Sequence, residues 1–416
     1  MIKFAGLLLF LCECALIISC AGELGTSVTV PMTLDHNRML VSARIQRKDG
    51  TWRSALLWVD TGSPEFIISP SLARDLGIDL SAAEKPDQVT KPRSLEIPPP
   101  DSIQLGNFPL HLQGVKSKVV FEPFWLFSTM HCDANLPATV LKQYQVVLDY
   151  RGRKLILAKP NTLSPTGIKV PAAVDSATGI VQIDASVDGE LFSFALDNGA
   201  SYSYLSGDLF QKLADRHSVW PRRTGAVGCA NLWGWWPEEP VWPILRIPEI
   251  NWGNVKLESV GIVGLPNFFT NGATLGDWYS KKTAKHVDGF LGPTAFKTFR
   301  VEIDYSNSAV YFTHDDRSDP YDLDLVGLTL QPQPDSSYLV IGVAEKDGKP
   351  TVEGVDPGDL LLQVDTVKAN GATMGTVIDA LRGKPGEVHT LILERAGRQF
   401  TVRATVERLL QIERMI

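Results

Sequence analysis

A strand ending in Asp-x-Gly occurs twice in this chain with the same sequel, and that duplication limits what the chain can fold into. The first copy is LLWVDTGSPEFIISPSLARDLGI (residues 56–78); the second is FALDNGASYSYLSGDLFQKLADR (residues 194–216). In each, an apolar run ends in an acid, Asp60 or Asp197. Gly62 or Gly199 follows two positions on, and Ser69 or Ser206 nine positions on. Ser in that place, ahead of Leu72 and Leu76 or of Leu209 and Leu213, predicts a capped helix. Glycine just past the acid permits the backbone turn that presents a carboxylate. Two copies of one β unit packed about a pseudo-twofold axis bring two carboxylates together.

The match runs beyond these stretches. Upstream, TVPMTL and MLVSARIQ lead to a turn at Lys48-Asp49-Gly50 and on to Asp60; GIVQIDASV leads through Asp188-Gly189 to Asp197. Asp-Gly between alternating apolar runs predicts a hairpin. Downstream, VLKQYQVVLDYRGRKLIL (residues 140–157) aligns without gaps on AFKTFRVEIDYSNSAVYF (residues 295–312). AKPNTLSPTG, rich in Pro, Thr and Ser, separates the repeats at residues 158–167. A mostly β, two-lobed body follows. After an acidic, turn-like boundary at residues 315–324, a third unit predicts strands at VGLTL, SSYLVIGVA, DLLLQVD, HTLILER and QFTVRATV. Its helix is TMGTVIDALRG. With 416 residues there is length for three such units. Their expected bounds are 21–160 and 161–316 for the repeats and 317–412 for the last.

Two carboxyls a few ångströms apart cannot both ionise, so the pair shares a proton. The ionised member can take a proton from water while the other polarises a carbonyl. No metal, cofactor or side-chain nucleophile is needed. Asp60-Thr61-Gly62-Ser63, with its apolar lead-in and following helix, resembles the signature of aspartic proteases of the retropepsin and pepsin type. Asp288-Gly289-Phe290-Leu291-Gly292 resembles that family's later strand, which passes beside the catalytic loop. The resemblance covers residues 29–313 and is closest to bacterial exported aspartyl-protease-like proteins with a C-terminal PDZ domain. It implies a pepsin-like bilobal body with Asp60 and Asp197 as catalytic pair, supported by Thr61, Gly62, Asn198 and Gly199. The function implied is an aspartic-type endopeptidase acting on peptide or protein substrates. The alternative is a catalytically inactive peptide-binding envelope protein on the same fold.

Departures from the family pattern are visible. Asn198 stands where the family has Thr or Ser, which alters the grip between the repeats. Repeat one reads Asp133-Ala134-Asn135-Leu136-Pro137 in place of the glycine-bearing strand. Pro137 has no N–H and a fixed φ, so a remodelled loop is expected there. Asp149 and Asp304, in the Asp-Tyr turns, are expected to be structural.

The last unit resembles a bacterial-type PDZ domain. Val355-Asp356-Pro357-Gly358-Asp359 matches its Pro-Gly-Asp turn, in which Gly358 and Asp359 are structural. Gly327, Leu328 and Thr329 would hold a peptide carboxylate beside the helix, giving a C-terminal peptide as partner. The competing expectation is a PDZ fold used only for docking onto its own protease lobes.

Lys3 followed by an apolar run over residues 4–18 predicts an export signal, too short for a comfortable membrane span. Ile17-Ile18-Ser19-Cys20 resembles the bacterial lipobox, implying a lipid anchor on Cys20 and a place in the cell envelope facing the periplasm; the alternatives are a plain signal peptide cut nearby or an uncleaved anchor. Beyond residue 20 only Cys132 and Cys229 remain, and their pairing is open. A net charge of −7 without a basic run argues against nucleic acid as a partner. Five tryptophans (Trp233, Trp235, Trp236, Trp242, Trp252) form either an aromatic wall or loop and core packing. A flap is expected near residues 95–100. His131, Cys132 and Asp133 are adjacent and cannot all face one ion, so no metal site is expected. Ser63 and Ser201 have no His in a nucleophile context.

Overall fold

The computed structural model of the chain describes residues 25–82, 93–121, 130–223, 241–265, 281–283, 285–314, 319–346 and 348–410. These residues are mostly β, arranged in several sheets with a few short helices. The lipobox with Cys20, together with Cys229, Trp233, Trp235 and Trp236, lies outside them.

Repeat one opens with β1 (Ser27–Asp35), β2 (Arg38–Gln46) and β3 (Trp52–Asp60), an antiparallel meander. His36 and Asn37 both have positive φ and make the two-residue turn between β1 and β2. Beyond Asp60 come β4 (Phe66–Ile68) and α1 (Pro70–Asp75), where Ser69 Oγ accepts from Leu72 N at 3.1 Å. β5 (Ser94–Ile97) is an edge strand paired with β6 (Ser117–Val120), where the flap was expected. β7 (Ala134–Pro137) then runs parallel beside β3, and β8 (Gln145–Asp149) and β9 (Lys154–Ala158) form the closing hairpin.

Repeat two repeats the plan with β10 (Val181–Val187), β11 (Glu190–Leu196), β12 (Ser203–Ser206) and α2 (Gly207–Arg216). β13 (Ile244–Trp252), β14 (Val255–Leu265), β15 (Gly289–Leu291), β16 (Phe299–Asp304) and β17 (Ala309–His314) complete it. Ser206 sits at the helix start, but its hydroxyl makes no capping bond; Asp208 in the first turn supplies the favourable charge.

The repeats are joined through β8 and β16, which pair antiparallel in one sheet. Val147 faces Glu302, Gln145 faces Asp304 and Asp149 faces Arg300. In the gap-free alignment Val147 corresponds to Glu302, Gln145 to Arg300 and Asp149 to Asp304. Exchanging the repeats therefore maps this ladder onto itself, so a pseudo-twofold axis passes through the Val147–Glu302 pair. One buried apolar cluster, running from Val30 and Val146 to Val301 and Phe312, spans both repeats.

A separate sheet holds β18 (Leu328–Pro332), β19 (Tyr338–Val343), β20 (Leu360–Val364), β21 (Val388–Arg395) and β22 (Arg398–Thr405), in that spatial order. α3 (Met374–Leu381) packs Met374, Val377 and Leu381 into its core. A second buried cluster ties this region to repeat two: Leu323, Leu325, Ala344, Leu409 and Leu410 join Tyr202, Tyr204 and Phe290.

Candidate active site

Parallel pairing sets each acid at the end of its strand. β11 lies beside β15 with Leu196 opposite Leu291, and Asp197 N donates to Leu291 O at 3.0 Å. β3 lies beside β7 in the matching register, Asp60 opposite Pro137. The remodelling expected from Pro137 does not occur. Pro137 falls at the strand end, immediately before the helical turn Ala138–Leu141, where an N–H is dispensable. Ala138 N then donates to Ser63 O at 2.8 Å.

The structure brings all six repeat-borne site residues together. A Cβ added at Gly62 would sit 2.5 Å from Asp197 Cγ, and one at Gly199 would sit 2.5 Å from Asp60 Oδ1. Each glycine is thus the bare backbone over which the other repeat's carboxyl lies. The added Cβ at Gly199 would also lie 3.0 Å from Asp197 Oδ1, so the two carboxyls meet beside that one glycine. Gly62 N donates to Asp60 Oδ1 at 3.1 Å; Gly199 N and Ala200 N donate to Asp197 Oδ1 at 2.9 and 3.3 Å.

Thr61 and Asn198 lock the loops across the axis. Thr61 Oγ1 donates to Leu196 O at 3.0 Å and accepts from Asn198 N at 3.1 Å. Asn198 Oδ1 accepts from Thr61 N at 2.9 Å. Asn198 therefore supplies the accepting half of the grip that Thr61 supplies in full. Its Nδ2 is buried with no acceptor among the described residues and lies against the buried Tyr150 side chain.

Both carboxyls are almost fully buried, at 6% and 5% exposure. Burial pushes both above the ordinary carboxylate range, and the Asp197 charge pushes Asp60 further, well above it. Opposing this, the Gly62 N–H, with the neighbouring Asn135 amide and Ser63 N–H, favours the Asp60 anion, while Tyr204, Gly199 and Ala200 favour the Asp197 anion. Tyr204 O–H donates to Asp197 Oδ2 at 2.7 Å. Asn135 and Tyr204 are polar neighbours that the motif reading missed. The signal was present in the repeat alignment, where Ile67 matches Tyr204 and Asn135 matches Phe290.

Other expected residues fall elsewhere. Asp149 accepts from Gly152 N and Asp304 from Asn307, both inside turns. Asp133 Oδ2 accepts from Leu56 N at 2.9 Å and pairs with Arg53, and burial pushes the Cys132 thiol up. Trp242 and Trp252 are buried, Trp252 edge-on to Phe312 at 4.9 Å. A cavity of about 390 Å³ beside α2, lined by Phe210, Arg222 and Glu345 among others, contains neither Asp60 nor Asp197. No group of three or more metal-ligating side chains gathers among the described residues. No helix among them is long and apolar enough to cross a membrane.

In the C-terminal region Gly327, Leu328 and Thr329 are all buried, and Leu328 N donates back to Val326 O at 2.9 Å. Gly327 O accepts from Ala344 N, and a Cβ at Gly327 would meet that of Ala344 at 2.5 Å. Asp359 is a turn anchor: its carboxylate accepts from Asp356 N at 2.9 Å and from Arg395. Gly358, at φ +103, permits the same turn. α3 begins against the β1–β2 turn, where Gly375 N donates to Asp35 Oδ1 at 2.9 Å. Buried Asp322 pairs with buried Arg246 and accepts from Tyr202 O–H at 2.9 Å.

No protein-family model matches the chain, and no curated protein matches it in sequence.

Proposed function

We propose that the chain is an aspartic-type endopeptidase: two pepsin-like lobes that share one carboxyl pair, followed by a PDZ-like domain. The observation that carries the reading is the reciprocal placement of each carboxyl over the other repeat's glycine, with Thr61 and Asn198 bonded across the axis. A buried pair of this kind holds one proton between two oxygens. Its anion takes a proton from water, whose oxygen attacks the scissile carbonyl. The protonated partner donates to the carbonyl oxygen and stabilises the developing charge. Proton return to the amide nitrogen then lets the C–N bond break, and the pair regains its starting state.

The test is cleavage of an unfolded protein by the wild type, Asp60→Asn and Asp197→Asn. Loss of cleavage in both variants supports the proposal; equal rates for all three overturn it and leave a peptide-binding envelope protein on the same scaffold. The N-terminal signal and Cys20 lipobox support an exported, lipid-anchored protein facing the periplasm. Palmitate labelling lost in Cys20→Ala checks the anchor.

For the PDZ-like domain the burial of Gly327, Leu328 and Thr329 favours docking onto the lobes over capture of a free peptide end. Titration with peptides bearing free and amidated C-termini separates the two. Tighter binding of the free carboxylates would restore the peptide-recognition role.

A further inference from the structure

The polar member of the ladder pair that flanks each acid's strand has changed sides between the repeats. In repeat one, β4 pairs with β7 so that Ile67 lies opposite Asn135, whose Oδ1 accepts from Ile67 N at 2.7 Å and whose Nδ2 donates to Glu65 O at 3.0 Å. In repeat two, Tyr204 on β12 lies opposite Phe290 on β15. There the polar residue is Tyr204, fully buried and stacked on Phe290 at 4.9 Å between ring centres. The apolar and polar members of one ladder pair are exchanged. Asn135 spends its amide on the backbone at β4, whereas the Tyr204 phenol donates to its carboxyl directly, at 2.7 Å from Asp197 Oδ2.

The hydrogen bonds on the two carboxyls differ as well: among the described residues Asp60 accepts from Gly62 N on Oδ1 at 3.1 Å. Asp197 receives Gly199 N and Ala200 N on Oδ1 and the Tyr204 phenol on Oδ2, so both oxygens are engaged. A carboxylate accepting several donors is held as the anion. A short O–H···O⁻ bond in a buried site is among the stronger such contacts. Tyr150 also feels the Asp197 charge, and its own proton is held tightly by burial.

We propose that Tyr204 is a positioning residue that holds Asp197 as the anion of the pair and leaves the shared proton on Asp60. Asp197 is then the member that takes the proton from water, and Asp60 the member that donates to the carbonyl. The catalytic consequence rests on the endopeptidase reading, whereas the bond and its effect on the pair do not.

The experiment follows the titration of the pair directly, by carbon-13 NMR of protein labelled at the aspartate carboxyls, with the pH dependence of kcat/KM in parallel. Losing a donor to the anion weakens its hold on the ionised form. In Tyr204→Phe the first ionisation of the pair is therefore expected about one to two pH units higher. The acid limb of kcat/KM is expected to move with it, kcat falling and KM little changed. Replacing Tyr204 with 3,5-difluorotyrosine keeps the shape and strengthens the donor, moving the ionisation the other way. It decides the matter where the phenylalanine variant fails to fold. Titrations that coincide with the wild type's overturn the proposal. Opposite shifts in a protein that cleaves nothing at any pH leave Tyr204 in this role and overturn the endopeptidase reading instead.

Discussion

At the scale of single residues, the loop of repeat two carries an imperfection that can be repaired. Asn198 accepts from Thr61 but leaves a buried amide N–H without an acceptor among the described residues, at a cost of about 1–3 kcal/mol. Asn198→Thr places a hydroxyl that can accept from Thr61 N and donate to Val59 O, completing the reciprocal grip. The expected outcome is a gain of about 1 kcal/mol in denaturant unfolding. The dyad supplies a second residue-scale prediction. Asp60 is pushed well above its ordinary value of 3.8, by burial first and by the Asp197 charge second. The folded state therefore binds this proton more tightly than the unfolded chain. Its contribution is intact below the unfolded value and is lost as pH rises through the folded one. Asp60→Asn is accordingly expected to match the wild type near pH 4 and to exceed it at pH 7 by about 0.5–2 kcal/mol, read as a difference in thermal midpoint.

At the scale of elements, the β1–β2 turn does more than reverse the chain. Asn37 Nδ2 donates to Ser201 O at 3.1 Å, one residue past Ala200 of the Asp197 loop, while Asp35 receives Gly375 N at the start of α3. One four-residue turn thus touches the second repeat and the C-terminal helix. Asp35→Ala removes an anion from that helix start, with an expected cost of about 1 kcal/mol. Hydrogen exchange slowed least in α3 would locate the loss. Much at this scale was legible beforehand. Both Asp-Gly hairpins, the helices after each acid and the strands of the last unit follow from apolar period and turn chemistry. What stayed hidden depends on partners remote in sequence. Pro137 reads as a loop breaker until its register places it at a strand end. Tyr204 reads as a β residue until Asp197 Oδ2 is found 2.7 Å from its hydroxyl. Within the stretch where a flap is expected, Ser94–Ile97 is an edge strand paired with Ser117–Val120.

At the scale of the whole molecule, the C-terminal region is packed into the body and not merely appended. Arg246 is 1% exposed, and its buried ion partner Asp322 lies beyond repeat two. Removing one member of such a pair strands a charge, so Asp322→Ala is expected to destabilise the protein by about 3–5 kcal/mol in chemical unfolding. Truncation before residue 317 should cost at least as much, since Leu323, Leu325 and Leu410 also leave the cluster that contains Tyr204.

The sheet centred on Val147 and Glu302 also bears on how the polypeptide is made. While a ribosome has finished only the first half, the strand Gln145–Asp149 offers a bare, largely apolar rim with nothing yet available to cover it. Because that rim is antiparallel about Val147, a second nascent copy fits it as well as the missing half does. The isolated first half, residues 21–160, is thus expected to sediment as a symmetric dimer, and an added second half to dissolve it into one-to-one complexes.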